Sequence, residues 1–223
     1  MPTSVPGVLK TPPAPPAVPP ASGHPEGVSN DEFRAALSRL AAGVVLVTSH
    51  EPPLDPEGTP VTHHRPDGTF PGAGGPEGAP ARRDITRGED VGMTATAFMS
   101  VSLDPPLVMV SLREGSRMDD LLAEQPLWAV SVLAESQRHI AGRFAMKGRI
   151  SDRLLFEDIP YVRGEASGAL LVGGALANLE CRTEQHVRAG DHTLVIGRVL
   201  SAQVPSAEGG PLLYFRGRYR HLR

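Results

Sequence analysis

A chain of 223 residues, 40% of them hydrophobic, is long enough to bury one core of ordinary size. Its formal charge of −3, with no block of lysine or arginine, argues against nucleic acid as a partner, and no apolar run reaches the ~18 residues that a membrane span needs. One cysteine, Cys181, leaves no intramolecular disulfide to form, and the N-terminus has no apolar signal core, so a cytoplasmic protein is expected.

The chain begins with residues 1–29, centred on TPPAPPAVPP, and nine of its 23 prolines lie there. Such a stretch cannot bury surface, so it is expected to be a disordered tail sampling polyproline conformations. Ser29 or Asn30 then caps a helix whose Phe33, Leu37 and Leu40 form an apolar stripe, and Gly43 is expected to end it. Val44 to Ser49 is a β-branched run of strand length.

Residues 51–90 hold eight more prolines and seven glycines, which excludes a second packed domain and marks a disordered insertion. The cost of closing a loop rises only as the logarithm of its length, so a fold tolerates such an insertion. Within it, His63-His64 and Asp67 lack a further ligand at diagnostic spacing, and no metal site is assigned.

The stretch VGMTATAFMSVSLDPPLVMVSLREGSRMDD, Val91 to Asp120, carries the chemistry. Thr94, Ala95, Thr96 and Ala97 are small enough for something flat to approach their backbone, and hydroxyls at Thr94, Thr96, Ser100 or Ser102 can hydrogen-bond it. Asp104-Pro105-Pro106 makes a stiff turn, and Leu107 to Leu112 reads as a buried strand. Ser116 and Asp119 have capping-box spacing at a helix start. That start, with Arg117 beside it, also suits a phosphate.

Leu127 to Leu133 suits a strand and Ser136 to Phe144 a short helix. Lys147 to Gly164 reads as a loop anchored by Phe156 and Tyr161. After Gly173-Gly174, Ala175 to His186 should be a long strand, joined at the Gly190-Asp191 hairpin signal to His192 to Val204. Cys181 on that first strand reads as an inert thiol, and the last strands come from Pro211 to His221.

The ordered set GMTATAF, SVSLDPP, LVMVSLREGSR, Asn178-Leu179-Glu180-Cys181, Ala189-Gly190-Asp191-His192-Thr193 and PLLYFRGRY resembles the flavin reductase family. The likeness spans Asp31 to Leu222 apart from residues 51–90. It implies a mainly β fold with flanking helices, a split β-barrel of the FMN-binding type, running over residues 30–223 as one domain and pairing as a homodimer. It also implies NAD(P)H-dependent reduction of FMN or FAD, by hydride transfer from nicotinamide C4 to flavin N5, for a separate flavin-dependent monooxygenase.

On this resemblance the flavin meets Thr94, Ala95, Thr96, Ala97, Ser100, Ser102 and Leu103, its phosphate Ser116 and Arg117, and the ring the neighbourhood of Phe144, which by itself reads as core. His192 of the Gly-Asp-His motif faces the entering nicotinamide, with Asp191 orienting the turn or the imidazole. Tyr214 and Arg216 line the same pocket or a neighbouring subunit's edge, while Arg218 and Tyr219 are structural. Many relatives carry Thr or Ser where this chain has Met118. Two other readings stay open: a split-barrel flavoprotein that retains flavin and acts on another small substrate, and a non-enzymatic flavin- or haem-binding module.

Overall fold

The computed structural model describes residues 27–51, 89–146, 153–205 and 209–222. Most of the proline-rich tail, and residues 52–88 of the insertion, lie outside them. The chain divides into two units, one ending at Leu37 and one beginning at Ser38.

The first unit contributes α1, Asn30–Leu37. Ser29 caps it reciprocally with Glu32, the Glu32 amide donating to Ser29 Oγ and the Ser29 amide to the Glu32 carboxylate. The helix is shorter than the apolar spacing predicts. It stops at Leu37, none of its residues is buried, and Leu40 lies in the turn that follows. Gly43 does not end a helix, because its backbone is recruited into β1 (Ala42–Gly43) opposite Leu213. Tertiary pairing overrides the local signal there.

The second unit is built on a seven-stranded antiparallel sheet. In chain order its strands are β2 (Val45–His50), β3 (Asp90–Ala95), β4 (Phe98–Leu103), β5 (Pro106–Arg113), β6 (Leu127–Val132), β9 (Ala177–Ala189) and β10 (His192–Gln203). In space the order is β3-β2-β6-β9-β10-β5-β4. The two edge strands, β3 and β4, are joined by only Thr96 and Ala97, and the Ser111 amide of β5 donates to the Ala97 carbonyl at 3.0 Å. A two-residue link between opposite edges requires the sheet to roll back on itself, as the expected split barrel does. Helix α2 (Arg117–Glu124) packs against β2, β3 and β5 where those edges approach.

The interior of the roll is one apolar cluster that includes Val45, Val47, Val91, Val110, Leu112, Trp128, Val130, Cys181 and Val195, closed by Met118, Leu121 and Leu122 of α2. Strand β5 alternates between this interior and the outside. Strand β2 does not alternate. Val44 and Leu46 face a second cluster with Ile140 and Phe144 of α3 (Arg138–Phe144), Phe156 of α4 (Arg153–Phe156), and Leu170 and Val172 of β8 (Leu170–Val172). Burial on both faces is why Val44 to Val47, at the start of the β-branched run, shows no polar alternation. The segment expected as a loop before Gly164 thus contains α4 and, paired to β8, strand β7 (Tyr161–Arg163). Phe156 anchors it at 4% exposure, with Tyr161 edge-on to that ring.

Two buried ionisable side chains are explained by structure. The Glu180 carboxylate accepts from the amides of Ala166 and Ser167 and from Ser167 Oγ, which ties the loop before β8 to β9. The Cys181 thiol is pushed up to about 12, first by burial and then by the Glu180 charge, so it is a core side chain without thiolate character.

The insertion leaves the fold at a closed stem. His50 pairs with Asp90 in register, and the Glu51 amide donates to the Glu89 carbonyl at 2.8 Å. Asp90 also receives both Arg163 nitrogens, at 3.0 and 2.9 Å, and lies 2.9 Å from His50 Nδ1. Burial works to raise its pKa, but the hydrogen bonds from His50 and Arg163 prevail and hold it below the usual value. A depressed carboxylate stabilises the fold at pH values above its ordinary pKa and loses that contribution as pH falls through the folded value. Asp90→Asn should therefore cost about 1 kcal/mol at neutral pH and almost nothing once the pH lies below the carboxylate range, as urea unfolding of both proteins at the two pH values will measure.

No described helix is long and apolar enough to cross a membrane.

Candidate functional site

The Thr94–Ala97 bend is fixed from behind by α3. Gly92 lies so close to that helix that a Cβ built on it would stand 2.6 Å from Phe144 Cε1 and 2.8 Å from the Phe156 ring. Two residues on, Thr94 Oγ1 donates to the Ala141 carbonyl at 2.8 Å. These two contacts dock β3 on α3 and leave the next residues to turn outward. Ala95 is buried in the roll, while Thr96 and Ala97 are exposed. Of the four small residues, it is this last pair that offers backbone and hydroxyl at the surface.

Beyond the bend, β4 is an edge strand. Ser100 is exposed, Ser102 half-buried, and Leu103 92% exposed. The register with β5 shifts between Ser100 and Ser102, a bulge of the kind that re-aims side chains at sheet edges.

At the far end of β5 the chain enters α2. Ser116 is its N-cap and accepts from the Asp119 amide at 3.3 Å, while the Asp119 carboxylate reaches back to the Gly115 amide at 3.0 Å. The expected capping pair thus forms, displaced by one residue on its return leg. Arg117 turns toward the insertion stem. Its NH2 donates to Glu51 at 2.8 Å and to Glu89 at 3.0 Å, and its Nε to Glu51 at 3.2 Å. That guanidinium lies at the start of β3, whereas Thr96 follows the strand's end, so a ligand meeting both must be long.

The β9–β10 hairpin delivers His192. Gly190 has φ +65°, which the tight turn requires and which a side chain would strain. The Asp191 carbonyl accepts from the Glu114 amide at 3.0 Å, and His192 registers with Arg113. The hairpin tip is thereby tied to the β5–α2 junction, which brings Asp191, His192 and Ser116 to one end of the sheet. His192 Nδ1 lies 2.8 Å from Asp191 Oδ1. The hydrogen bond from His192, followed by its charge, lowers the Asp191 pKa. With the carboxylate ionised and accepting from Nδ1–H, the pairing favours one orientation of the imidazole and leaves Nε2 for another partner.

Tyr214 belongs to a separate three-stranded sheet of β1, β11 (Leu213–Phe215) and β12 (Arg218–Arg220), and Arg216 to the turn between its last two strands. It joins the main sheet through Val44, whose amide donates to the Leu212 carbonyl, at the end of β2 where Val45 pairs with Ala95. Tyr214 meets the Tyr219 ring edge-on, with centroids 5.5 Å apart. Arg216 and Gly217 have φ of 50° and 73°, the backbone of a two-residue hairpin turn, and the Arg216 guanidinium sits 5.2 Å from the Phe215 ring centroid. A surface cavity of about 190 Å³ beside this sheet is lined by Glu135, Arg138, Leu212, Tyr219, Arg220 and His221. It includes none of the predicted site residues and is small against the ~300–1,000 Å³ typical of ligand pockets. Phe144, at 1% exposure, lies in the second core cluster against Phe156.

Thr96, Ala97 and Ser100 are thus exposed at one edge of the sheet, and the His192 side chain, paired with Asp191, is 42% exposed at the hairpin tip. A sequence model of the family described as "Flavin reductase like domain" matches residues 81–223. The chain belongs to the flavin reductase family. It is 41% identical over 135 residues to an NADH-dependent FAD reductase of Streptomyces globisporus, covering 60% of this chain and 73% of that one. To the reductase component of 4-hydroxyphenylacetate 3-monooxygenase of Thermus thermophilus it is 38% identical over 134 residues, 60% of this chain and 80% of that one. Among solved structures, BorF, the flavin reductase component of a bacterial two-component tryptophan halogenase, superposes with a TM-score of 0.65 at 31% identity, covering 87% of this chain and 98% of that one.

Within this flavin reductase fold, three residues that the sequence patterns did not single out contact the predicted site residues or the elements that carry them: Gly92, against Phe144, and Glu51 and Glu89, against Arg117. Gly92 stands in the quoted GMTATAF motif, but its reason is a helix distant in sequence. The His63-His64 pair and Asp67 lie outside the described residues. Among the described residues no three His, Cys, Asp or Glu side chains group to hold a metal.

Proposed function

We propose that this protein is an NADH-dependent flavin reductase that reduces FMN or FAD for a separate flavin-dependent monooxygenase. The observation that carries this is the family match over residues 81–223, together with the Gly190-Asp191-His192 tip held at the β5–α2 junction. NADH is the reductant that the Streptomyces relative is named for, and a reductase component is what the Thermus relative and BorF are named.

In this reading the flavin ring lies along Thr96 and Ala97, and its phosphate reaches the helix start at Ser116 and Arg117. Bound flavin supplies the hydride-accepting chemistry, so the chain needs no acid–base set of its own. Its residues bind and orient. Backbone donors at the Thr94–Ala97 bend stabilise negative charge on the ring edge, and His192, held by Asp191, positions the nicotinamide.

A homodimer completes the site. Support comes from β4, a sheet edge with one paired side, whose Met99, Val101 and Leu103 are 54%, 49% and 92% exposed. An apolar edge of this kind is a surface that natural proteins cover. Sedimentation should give twice the chain mass. A cytoplasmic site of action, where NADH is supplied, suits a chain with a single buried thiol.

The deciding experiment mixes purified protein with NADH and free FMN or FAD and follows nicotinamide absorbance. Turnover with neither flavin refutes the proposal.

A further inference from the structure

Arg117 is the cation that the sequence pattern offers to a flavin phosphate, yet its guanidinium is engaged by two carboxylates from the two ends of the insertion. Glu51 and Glu89 both accept from the same NH2, at 2.8 and 3.0 Å, and Glu51 also accepts from Nε at 3.2 Å. Among the described residues, two carboxylates face this one guanidinium, a balance of one net negative charge. Asp119, bound to the Gly115 amide, adds a third carboxylate at the same helix start. The partial positive charge of a helix N-terminus, about half an elementary unit, does not offset that balance.

The consequence depends on the ligand's charge. A phosphomonoester at neutral pH carries about −1.5 to −2, so FMN must either displace Glu51 and Glu89 from Arg117 or lie beside them. Riboflavin has no phosphate and meets neither cost. We infer that Glu51 and Glu89 suppress the contribution of the flavin's phosphate to binding, competing for Arg117 and so holding FMN affinity close to that of riboflavin. This rests on the reading that places the phosphate at the Ser116–Arg117 helix start. It gives the stem of the insertion a role in the choice of flavin, and it favours uptake and release of flavin over retention.

The test is a pair of fluorescence titrations, with FMN and with riboflavin, on the wild type, Glu51→Gln/Glu89→Gln, and that double variant carrying Arg117→Ala as well. The carboxylates are 34% and 49% exposed, and exposed pairs contribute little to stability, so the variants should fold. Glu89→Gln alone serves as a second variant if the double does not. The double variant should bind FMN about threefold to tenfold tighter with riboflavin unchanged, and the gain should shrink as salt is raised. Adding Arg117→Ala should abolish it. If the double variant binds both flavins as the wild type does, and Arg117→Ala then weakens FMN alone, the phosphate does lie at Arg117 and the suppressing role is refuted. If neither change separates FMN from riboflavin, the phosphate lies elsewhere, and the placement and the inference fall together.

Discussion

Gly92→Ala should destabilise this protein by about 1–3 kcal/mol, the usual cost of forcing extra volume into a packed core. For a chain of this size that corresponds to a fall in melting temperature of roughly 2–12 °C. The added methyl would lie 2.6 Å from Phe144 Cε1 and 2.8 Å from both Phe144 Cδ1 and Phe156 Cζ. Both rings are buried, at 1% and 4% exposure, and they pack on each other with centroids 4.7 Å apart, so neither can swing away. Displacing α3 would also stretch the 2.8 Å bond from Thr94 Oγ1 to the Ala141 carbonyl, which fixes the strand leading into the Thr96–Ala97 bend. Flavin affinity should therefore fall together with stability. Gly142→Ala is the control of opposite sign. It sits within α3 with nothing within 4 Å of a new Cβ, and alanine is the better helix former by about 0.5–1 kcal/mol. Thermal melts of the two variants should move apart. A Gly92→Ala protein that melts and binds flavin as the wild type does would mean that the α3–β3 contact is not what shapes the bend.

Those two glycines show where sequence stops being informative. Neighbouring residues decide whether a hairpin forms at Gly190-Asp191, whether Ser116 and Asp119 cap α2, and whether β5 alternates, so these features were legible from local pattern. The order of motifs from GMTATAF to PLLYFRGRY carried the fold. Gly92 has no local reason to be glycine. Its reason is Phe144, 52 positions away in the chain and against it only in the folded structure. The same holds for Arg117, whose acceptors are 66 and 28 positions away and flank a stretch that composition marks as featureless. The apolar stripe of α1 overstated the helix for the converse reason: the spacing continues to Leu40, but the helix stops at Leu37. Arg216, which the family resemblance offers to the pocket or a neighbouring subunit's edge, has a left-handed backbone that makes it one of two turn residues between β11 and β12.

His192→Ala should lower the rate at which NADH reduces flavin-loaded protein by about tenfold to a hundredfold, equivalent to roughly 1.4–2.8 kcal/mol, while leaving flavin affinity unchanged. The asymmetry follows from where the side chain stands. The hairpin tip is anchored by backbone, through the Glu114 amide and the Asp191 carbonyl, so removing the imidazole leaves the turn in place. What is lost is a ring held through Nδ1 by a carboxylate 2.8 Å away, with 42% of its side chain open to solvent and to an incoming ligand. The loss is bounded because the flavin and the nicotinamide supply the redox chemistry, and positioning is the chain's share of it. Asp191→Asn should reproduce a smaller part of the effect, since it keeps the imidazole but gives up the charge-assisted bond that orients it. Stopped-flow reduction as a function of NADH concentration separates the two possible origins: a weaker nicotinamide complex raises the half-saturating concentration, and a misplaced nicotinamide lowers the limiting rate. If both remain at wild-type values in His192→Ala, His192 is a turn residue and the nicotinamide is held by other groups.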